Sequence, residues 1–450
     1  MNAEVIKSLS NLADTLSKLD ERQYYHGSLD GDDDDDTLQQ QQTELVDATA
    51  ALSLSSKNDQ PQQSSELTKN QVAAPPNNNN QSITYWRNLP TQVQTAYTLL
   101  TNGADYIHAT STKFTLVSKV DSIEGANLSL ELRKGAQHVG TGTLLLFSGE
   151  CGSSRSLRHY VKQSSRGVIL SLLALLRVYE EHGNRNNSDA SNSNNNNTEE
   201  NVAAQKTGAV WSACDALRLK LPRGNRTAMR RELMIWVRDC NESVDEFEEM
   251  LELGPRSSND EDDEEEQFEK REMKMARAAV NVMKCSKNTL GLVLKVCECV
   301  GESLDETQVD SGEMNKELLQ MISDMHEVAR RIGEGVTNFG VMLYPPLEAA
   351  SNDDELAQWE SVKESRVSRL GGEMEIPSLG STSLGLQLEQ QLYSLAECVL
   401  CIKNSKLTTV SGEPIQSCYS NEVNDAVTKL MTAIPLRCKE AVGGVAEWSA

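Results

Sequence analysis

Aromatic side chains are scarce in this chain: Phe, Trp and Tyr together make up 4% of its 450 residues. Sheet cores draw on Tyr, Phe, Ile and Val, so the scarcity argues against strands, and the plentiful Leu, Ala and Met suit helix-on-helix packing. Long apolar runs are missing as well. No segment approaches the roughly 18 consecutive apolar residues of a membrane-spanning helix, and no apolar signal segment stands at the N-terminus. The ten cysteines show no disulfide-scaffold spacing, which leads to the expectation of free thiols in a reducing compartment, cytosol or nucleus. Basic charge is in deficit, with 43 Lys and Arg against 67 Asp and Glu and a formal net charge of −24. That balance repels nucleic acid and anionic membranes and favours basic partners or plain solubility.

Catalytic signatures are missing too. There is no Gly-x-Ser-x-Gly elbow, no Gly-x-x-x-x-Gly-Lys-Ser/Thr loop, no His-Glu-x-x-His and no complete Gly-x-Gly-x-x-Gly. The one hint of a metal is Cys398-Val-Leu-Cys401 together with Cys297-Glu-Cys299. A structural zinc site pairs one Cys-x-x-Cys knuckle with another or with two His, and the second pair has the wrong spacing. Buried free thiols are the favoured reading. The chain is therefore expected to be no enzyme and to hold no cofactor or metal.

What the chain does have is a repeated four-three apolar spacing, the period of a helix that buries one face. Val5 to Leu19, Val93 to Ile107, Leu132 to Leu146 and Leu157 to Tyr179 give four helices, the third weakened by Gly140 and Gly142. Val210, Cys214, Leu217 and Leu221 give a fifth, and Met229 to Leu251 a sixth ended near Gly254-Pro255. Ala279 to Val300, Met314 to Phe339, a weaker stretch around Leu356 and Trp359, and Leu388 to Ile402 follow. Val423 to Ile434 is expected to stop at Pro435. Lys113 to Val120 has strand-like composition but no partner strand. Trp211, next to Val210, reads as a packing residue whose truncation would cost about 3 to 5 kcal/mol.

Polar and acidic tracts interrupt this pattern at about 25–82, 184–200, 257–266 and 371–383. None carries enough apolar surface to offset the entropy of ordering, so they read as disordered insertions, linkers or flexible loops. The expected organisation is an N-terminal helical bundle over 1–256, an acidic linker over 257–266 and a C-terminal helical bundle over 267–450. The fold class is all-α, two consecutive antiparallel helix bundles with disordered low-complexity insertions.

Two basic clusters stand out. Arg155, Arg158, Lys162 and Arg166 recur at three, four and four, on the side away from Leu157, Val161 and Val168, and predict an exposed basic stripe for an acidic protein partner. Arg218, Lys220, Arg223, Arg226, Arg230 and Arg231 surround the turn between the fifth and sixth helices. Aromatic residues for a nucleic-acid platform are absent there, so no direct nucleic acid, membrane or small-molecule substrate is expected. Met314, Met321 and Met325 have the softness of a binding groove, but their heptad spacing favours core.

Four stretches in order carry a family resemblance. Tyr85-Trp86 opens the second helix, and Ser156-Leu-Arg158 leads to Arg166-Gly-Val-Ile-Leu170. Thr207-Gly-Ala-Val-Trp-Ser-Ala-Cys-Asp215 precedes the Leu221-Pro222 break, Asn225 and a helix ending Asp245-Glu-Phe-Glu-Glu249; Val341-Met-Leu-Tyr-Pro-Pro346 comes last. Together these resemble the cyclin-D-interacting protein family (GCIP-like, cyclin-D-binding proteins). The resemblance implies a pair of bundles of the talin-like type. It also implies a non-enzymatic adaptor of cytoplasm and nucleus that binds D-type cyclins or helix-loop-helix proteins and restrains cell-cycle progression. A cytoskeletal or adhesion-type scaffold on the same kind of bundle is the alternative.

Overall fold

The computed structural model describes residues 3–19, 89–117, 122–148, 151–185, 196–256, 267–303, 313–347, 353–406 and 414–448. These residues form helices and their connections, with no strand among them. In chain order they are α1 (Ala3–Lys18), α2 (Thr91–Val117), α3 (Ser122–Phe147), α4 (Arg155–Arg185) and α5 (Asn196–Asp215). A π-helical turn (Ala216–Lys220) follows, then α6 (Asn225–Glu252), α7 (Met273–Ser303), α8 (Glu313–Val341), α9 (Asp353–Leu370) and α10 (Ser383–Lys403). A short 3-10 turn (Ile415–Cys418) and α11 (Asn421–Trp448) end the series. The tracts at 25–82 and 257–266 and most of that at 184–200 lie outside the described residues, as do Tyr85 and Trp86.

The chain forms two compact units, Met1–Ala228 and Met229–Ala450. In the first, α2 packs on α3, α3 on α4, α4 on α5 and α5 back on α2, which closes a ring of four helices; α1 lies against α3 and α4. The apolar stripes meet inside it: Leu100, Ile107 and Phe114 of α2, Leu132, Val139 and Leu146 of α3, Leu157, Val161 and Leu172 of α4, and Val210 and Cys214 of α5, with Val5, Leu9 and Leu16 added by α1. α4 starts where Ser154 caps it, its hydroxyl accepting from the Leu157 amide at 3.2 Å.

α2 and α3 pack with their backbones close together, and glycine is the reason. A Cβ on Gly103 would lie 2.8 Å from the Gly135 carbonyl oxygen, and one on Gly142 2.8 Å from that of Ala96. The glycines expected to weaken α3 thus do not interrupt it, because Gly142 is repaid by packing contacts that only a missing side chain permits. α2 itself continues through Val117, so the strand-like Lys113 to Val117 is helix.

In the second unit α7 packs on α8 and α11, α10 on α8 and α11, and α9 lies on the outside of α10. α10 is buried around nearly its whole circumference. Its polar residues therefore need partners inside the protein. Glu397 receives a bidentate pair from Arg366 of α9, Nε–Oε1 at 2.8 Å and Nη2–Oε2 at 2.9 Å. Glu389 accepts from the Trp359 indole at 3.0 Å and the Leu379 amide at 2.9 Å, and pairs with Lys363 at 2.9 Å. Gln391 donates to Ser286 of α7 at 2.8 Å and to the Ile332 carbonyl of α8 at 2.9 Å.

Several details differ from the sequence expectation. Most of α6 packs with the second unit, not with the first: Trp236 fills the notch at Gly333 of α8, Phe247 is buried, and Asn241 and Glu248 pair with Lys287 and Lys284 of α7. The division consequently falls between Ala228 and Met229, inside a helix, ahead of the acidic tract. Residues 371–383 are a packed connection in which Met374, Ile376 and Leu379 are buried. α11 passes through Pro435 and ends at Trp448. The stripe Ile434, Cys438, Ala441, Gly444 and Trp448 stays buried beyond the proline, and that packing offsets a local cost of about 3 kcal/mol. Met321 and Met325 are core, as their spacing favours, while the Met314 side chain lies outside the description.

The α2–α3 approach gives a direct test. Gly103→Leu is expected to destabilise the protein by about 2 kcal/mol through overpacking against backbone. Gly208→Ala, where a Cβ meets nothing within 4 Å on α5, is expected to stabilise it by up to about 1 kcal/mol through helix propensity. Urea midpoints of the two variants that move in the same direction would contradict the close approach.

Candidate functional site

The stretch Thr207 to Asp215 occupies the last turns of α5, and its residues divide by face. Thr207, Val210 and Cys214 are buried, and the Thr207 hydroxyl meets that of Thr115 of α2 at 2.6 Å. Gly208, Trp211 and Asp215 look outward along the seam with α2. Trp211 is 37% exposed and stacks on His108 of α2, ring centroids 5.5 Å apart and planes 27° from parallel. It is a surface residue, contrary to the packing role expected of it. At 100° per residue Trp211 lies about 90° from the centre of the Val210–Cys214–Leu217 stripe, at the flank, where a neighbouring helix decides its exposure. α5 has α4 and α2 as its neighbours, and α2 meets that flank at His108 while leaving Trp211 37% exposed.

The end of this seam is fixed by polar contacts. After Asp215 the helix widens into the π-helical turn Ala216–Lys220, which carries Arg218 back over the seam. Its guanidinium bonds Asp105 of α2 at 2.5 Å and also reaches Asp215. Those two hydrogen bonds hold the Arg218 cation above its ordinary range. The chain then leaves through Pro222, whose carbonyl accepts from the Tyr97 hydroxyl at 2.6 Å, while the Tyr97 hydroxyl oxygen accepts from the Gly224 amide at 3.0 Å. Burial pushes the Tyr97 phenol up to about 12. Asn225 is wholly buried; its Oδ1 accepts from the Ser154 amide at 2.7 Å and its Nδ2 donates to the Gly152 carbonyl at 2.9 Å. The polar turn thus ties the start of α6 to the start of α4 and serves structure.

The predicted basic stripe on α4 does not form. Arg158 is 2% exposed, with its guanidinium over the Phe147 ring at 6.0 Å. Lys162 donates to the Leu19 carbonyl at 2.6 Å beyond the end of α1. Arg155 is half-buried and only Arg166 is exposed. The reason is that α4 has three neighbours, α1, α3 and α5, so the face opposite α5 is covered as well. The second basic cluster is more open: Lys220, Arg223, Arg230 and Arg231 are exposed, and Arg230 lies 3.4 Å from Glu298.

The cysteines come together in part. Cys297 of α7 and Cys401 of α10 both lie near enough to Cys398 to raise its thiol further above a range already lifted by burial. Among the described residues no group of three or more His, Cys, Asp or Glu has the arrangement to hold a metal ion, and no helix is long and apolar enough to cross a membrane. Burial pushes the thiols of Cys214, Cys240, Cys297 and Cys438 from 9.0 to about 12, and those of Cys285 and Cys401 to about 11.

Tyr97, Asp105 and His108 escaped the sequence reading as parts of one surface. Tyr97 sits on the α2 stripe like a core residue, and nothing in the sequence tells which face of α2 meets α5. Residues 99–253 match the model of a family described as Grap2 and cyclin-D-interacting, N-terminal, a span that contains α5, the π-helical turn and α6. The match covers about a third of the chain and supports a GCIP-like family. A search of curated proteins finds no match.

The thiols predict the pH profile of stability. Each has a folded value above its unfolded one, so its contribution is complete below about 9 and is lost as pH rises towards 11 to 12; Tyr97 adds the same sign between 10 and 12. Urea midpoints measured under reducing conditions are expected to fall steadily from pH 8.5 to 11. A flat profile would mean that the thiols are already exposed in the native protein.

Proposed function

We propose that this GCIP-like chain is a non-enzymatic adaptor that binds D-type cyclins or helix-loop-helix proteins, restrains cell-cycle progression and works in cytoplasm and nucleus. The observation that carries the reading is the family match over 99–253. Inside that span the α5 helix turns one aromatic residue outward. A Trp and a His stacked on a surface seam are amphipathic, rigid and cheap to order, the properties of residues that dominate protein–protein contacts. The Asp105–Arg218–Asp215 bridge beside them holds α2 and α5 at a fixed separation, so a partner meets a preorganised surface.

Purified full-length protein and a D-type cyclin, measured by surface plasmon resonance, test this directly. Trp211→Ala is expected to lower the affinity at least about tenfold, the effect of losing about 1.4 kcal/mol, as hot-spot truncations do. Because the ring is partly exposed and keeps one stacking partner, the same change should cost only about 1 kcal/mol of stability. An unchanged affinity, or a complete failure of the parent protein to bind a cyclin or a helix-loop-helix protein, would overturn the assignment. Co-sedimentation of the parent protein with actin filaments in place of such binding would point to a scaffold.

A further inference from the structure

We propose that Tyr344 is a phosphate-acceptor site, and that a phosphoryl group there releases the C-terminal end of α6 from the second unit. Tyr106 and Tyr344 are the strongly exposed tyrosines among the described residues, at 39% and 47%. Tyr106 lies in the middle of α2, where a kinase would have to unwind helix. Tyr344 lies three residues beyond the end of α8, ahead of Pro345 and Pro346. Proline cannot continue a helix, and residues 342–346 form turns and bends beyond α8, so an enzyme reaches Tyr344 without unwinding a helix.

What Tyr344 touches makes the modification consequential. Its hydroxyl donates to Glu246 of α6 at 2.6 Å, and its ring lies 5.1 Å from that of Phe247. The bond to the Glu246 carboxylate holds the phenol proton above its ordinary range. Phosphorylation replaces this donor with about −1.5 to −2 charges at neutral pH. The new group would face Glu246 in a stretch that also contains Asp245, Glu248 and Glu249, within the last two turns of α6. The carbonyl end of a helix is itself partly negative, so the dipole adds to the repulsion. Lys284 and Lys287, the cations of α7 on this side, are engaged by Glu248 and Asn241. Those pairs are partly exposed and weak, so the buried Val244 and Phe247 fasten this end of the helix, with Tyr344 packed and hydrogen-bonded at its outer edge.

The chemistry is that of a protein tyrosine kinase with ATP as donor. The phenolic oxygen of Tyr344 bonds to the γ-phosphorus, the bond from that phosphorus to the β,γ-bridging oxygen breaks, ADP leaves, and the phenolic proton passes to the kinase's base. The test uses the full chain with ATP and a soluble tyrosine kinase domain of broad specificity, followed by phosphopeptide mapping and by hydrogen exchange of residues 241–253. Phosphate at Tyr344 together with several-fold faster exchange in that segment is the expected result, with Tyr344→Phe showing neither. Glu246→Gln should reduce the acceleration on phosphorylation, since it removes the nearest like charge. The proposal fails if a synthetic peptide spanning 338–350 is phosphorylated while the folded chain is not. It fails equally if the modified chain exchanges over 241–253 at the parent rate.

Discussion

A chain with few aromatic residues has to build its cores from aliphatic stripes, and aliphatic stripes reward short distances between helices. That constraint runs through the first unit. Gly103, Gly135 and Gly142 are where α2 and α3 pay the entropy of glycine in a helix to bring their backbones together. The seam of α2 with α5 is built on the same α2, so the outward positions of Asp105 and His108 follow from which face the glycines commit to α3. Trp211 then has a defined platform to stack on, instead of a core to fill.

The second unit meets the same constraint by burying one helix completely. α10 is apolar enough to sit inside, yet it carries Glu389, Gln391 and Glu397 to the interior. Removing two carboxylates from water costs several kcal/mol each unless paired and hydrogen-bonded. Trp359, Lys363 and Arg366 of α9, at helical spacing, provide those partners. A helix with little apolar surface of its own is thereby fixed to the bundle. The arrangement specifies register, because a one-residue shift of α9 would leave both carboxylates without their cations.

Much of this was legible in the sequence. Helix positions followed from the four-three spacing, including the buried Val210, Cys214, Leu217 and Leu221, and Gly254 takes the left-handed backbone expected beyond the end of α6. What a single helix cannot state is how many neighbours it has. Trp211 and Arg158 both lie on the flank of an apolar stripe, roughly 80 to 90° from its centre. One is exposed because its flank of α5 is left partly open, and the other is buried because α4 is also packed by α1 and α3. Identical periodicity thus led to opposite errors, a surface residue read as core and a core residue read as surface.

The partition of α6 has the same origin. Met229, Leu233, Cys240, Val244 and Phe247 define an apolar face, but the face does not say which bundle receives it. The charge-rich tract after the helix suggested a boundary; the notch left by Gly333, sized for Trp236, lies about a hundred residues further on and carries no signal of its own. Asn225 holds the first turn of α6 to Gly152 and Ser154, and Trp236 and Phe247 seat its later turns, so a few single side chains, not the periodicity, fix where the helix lies.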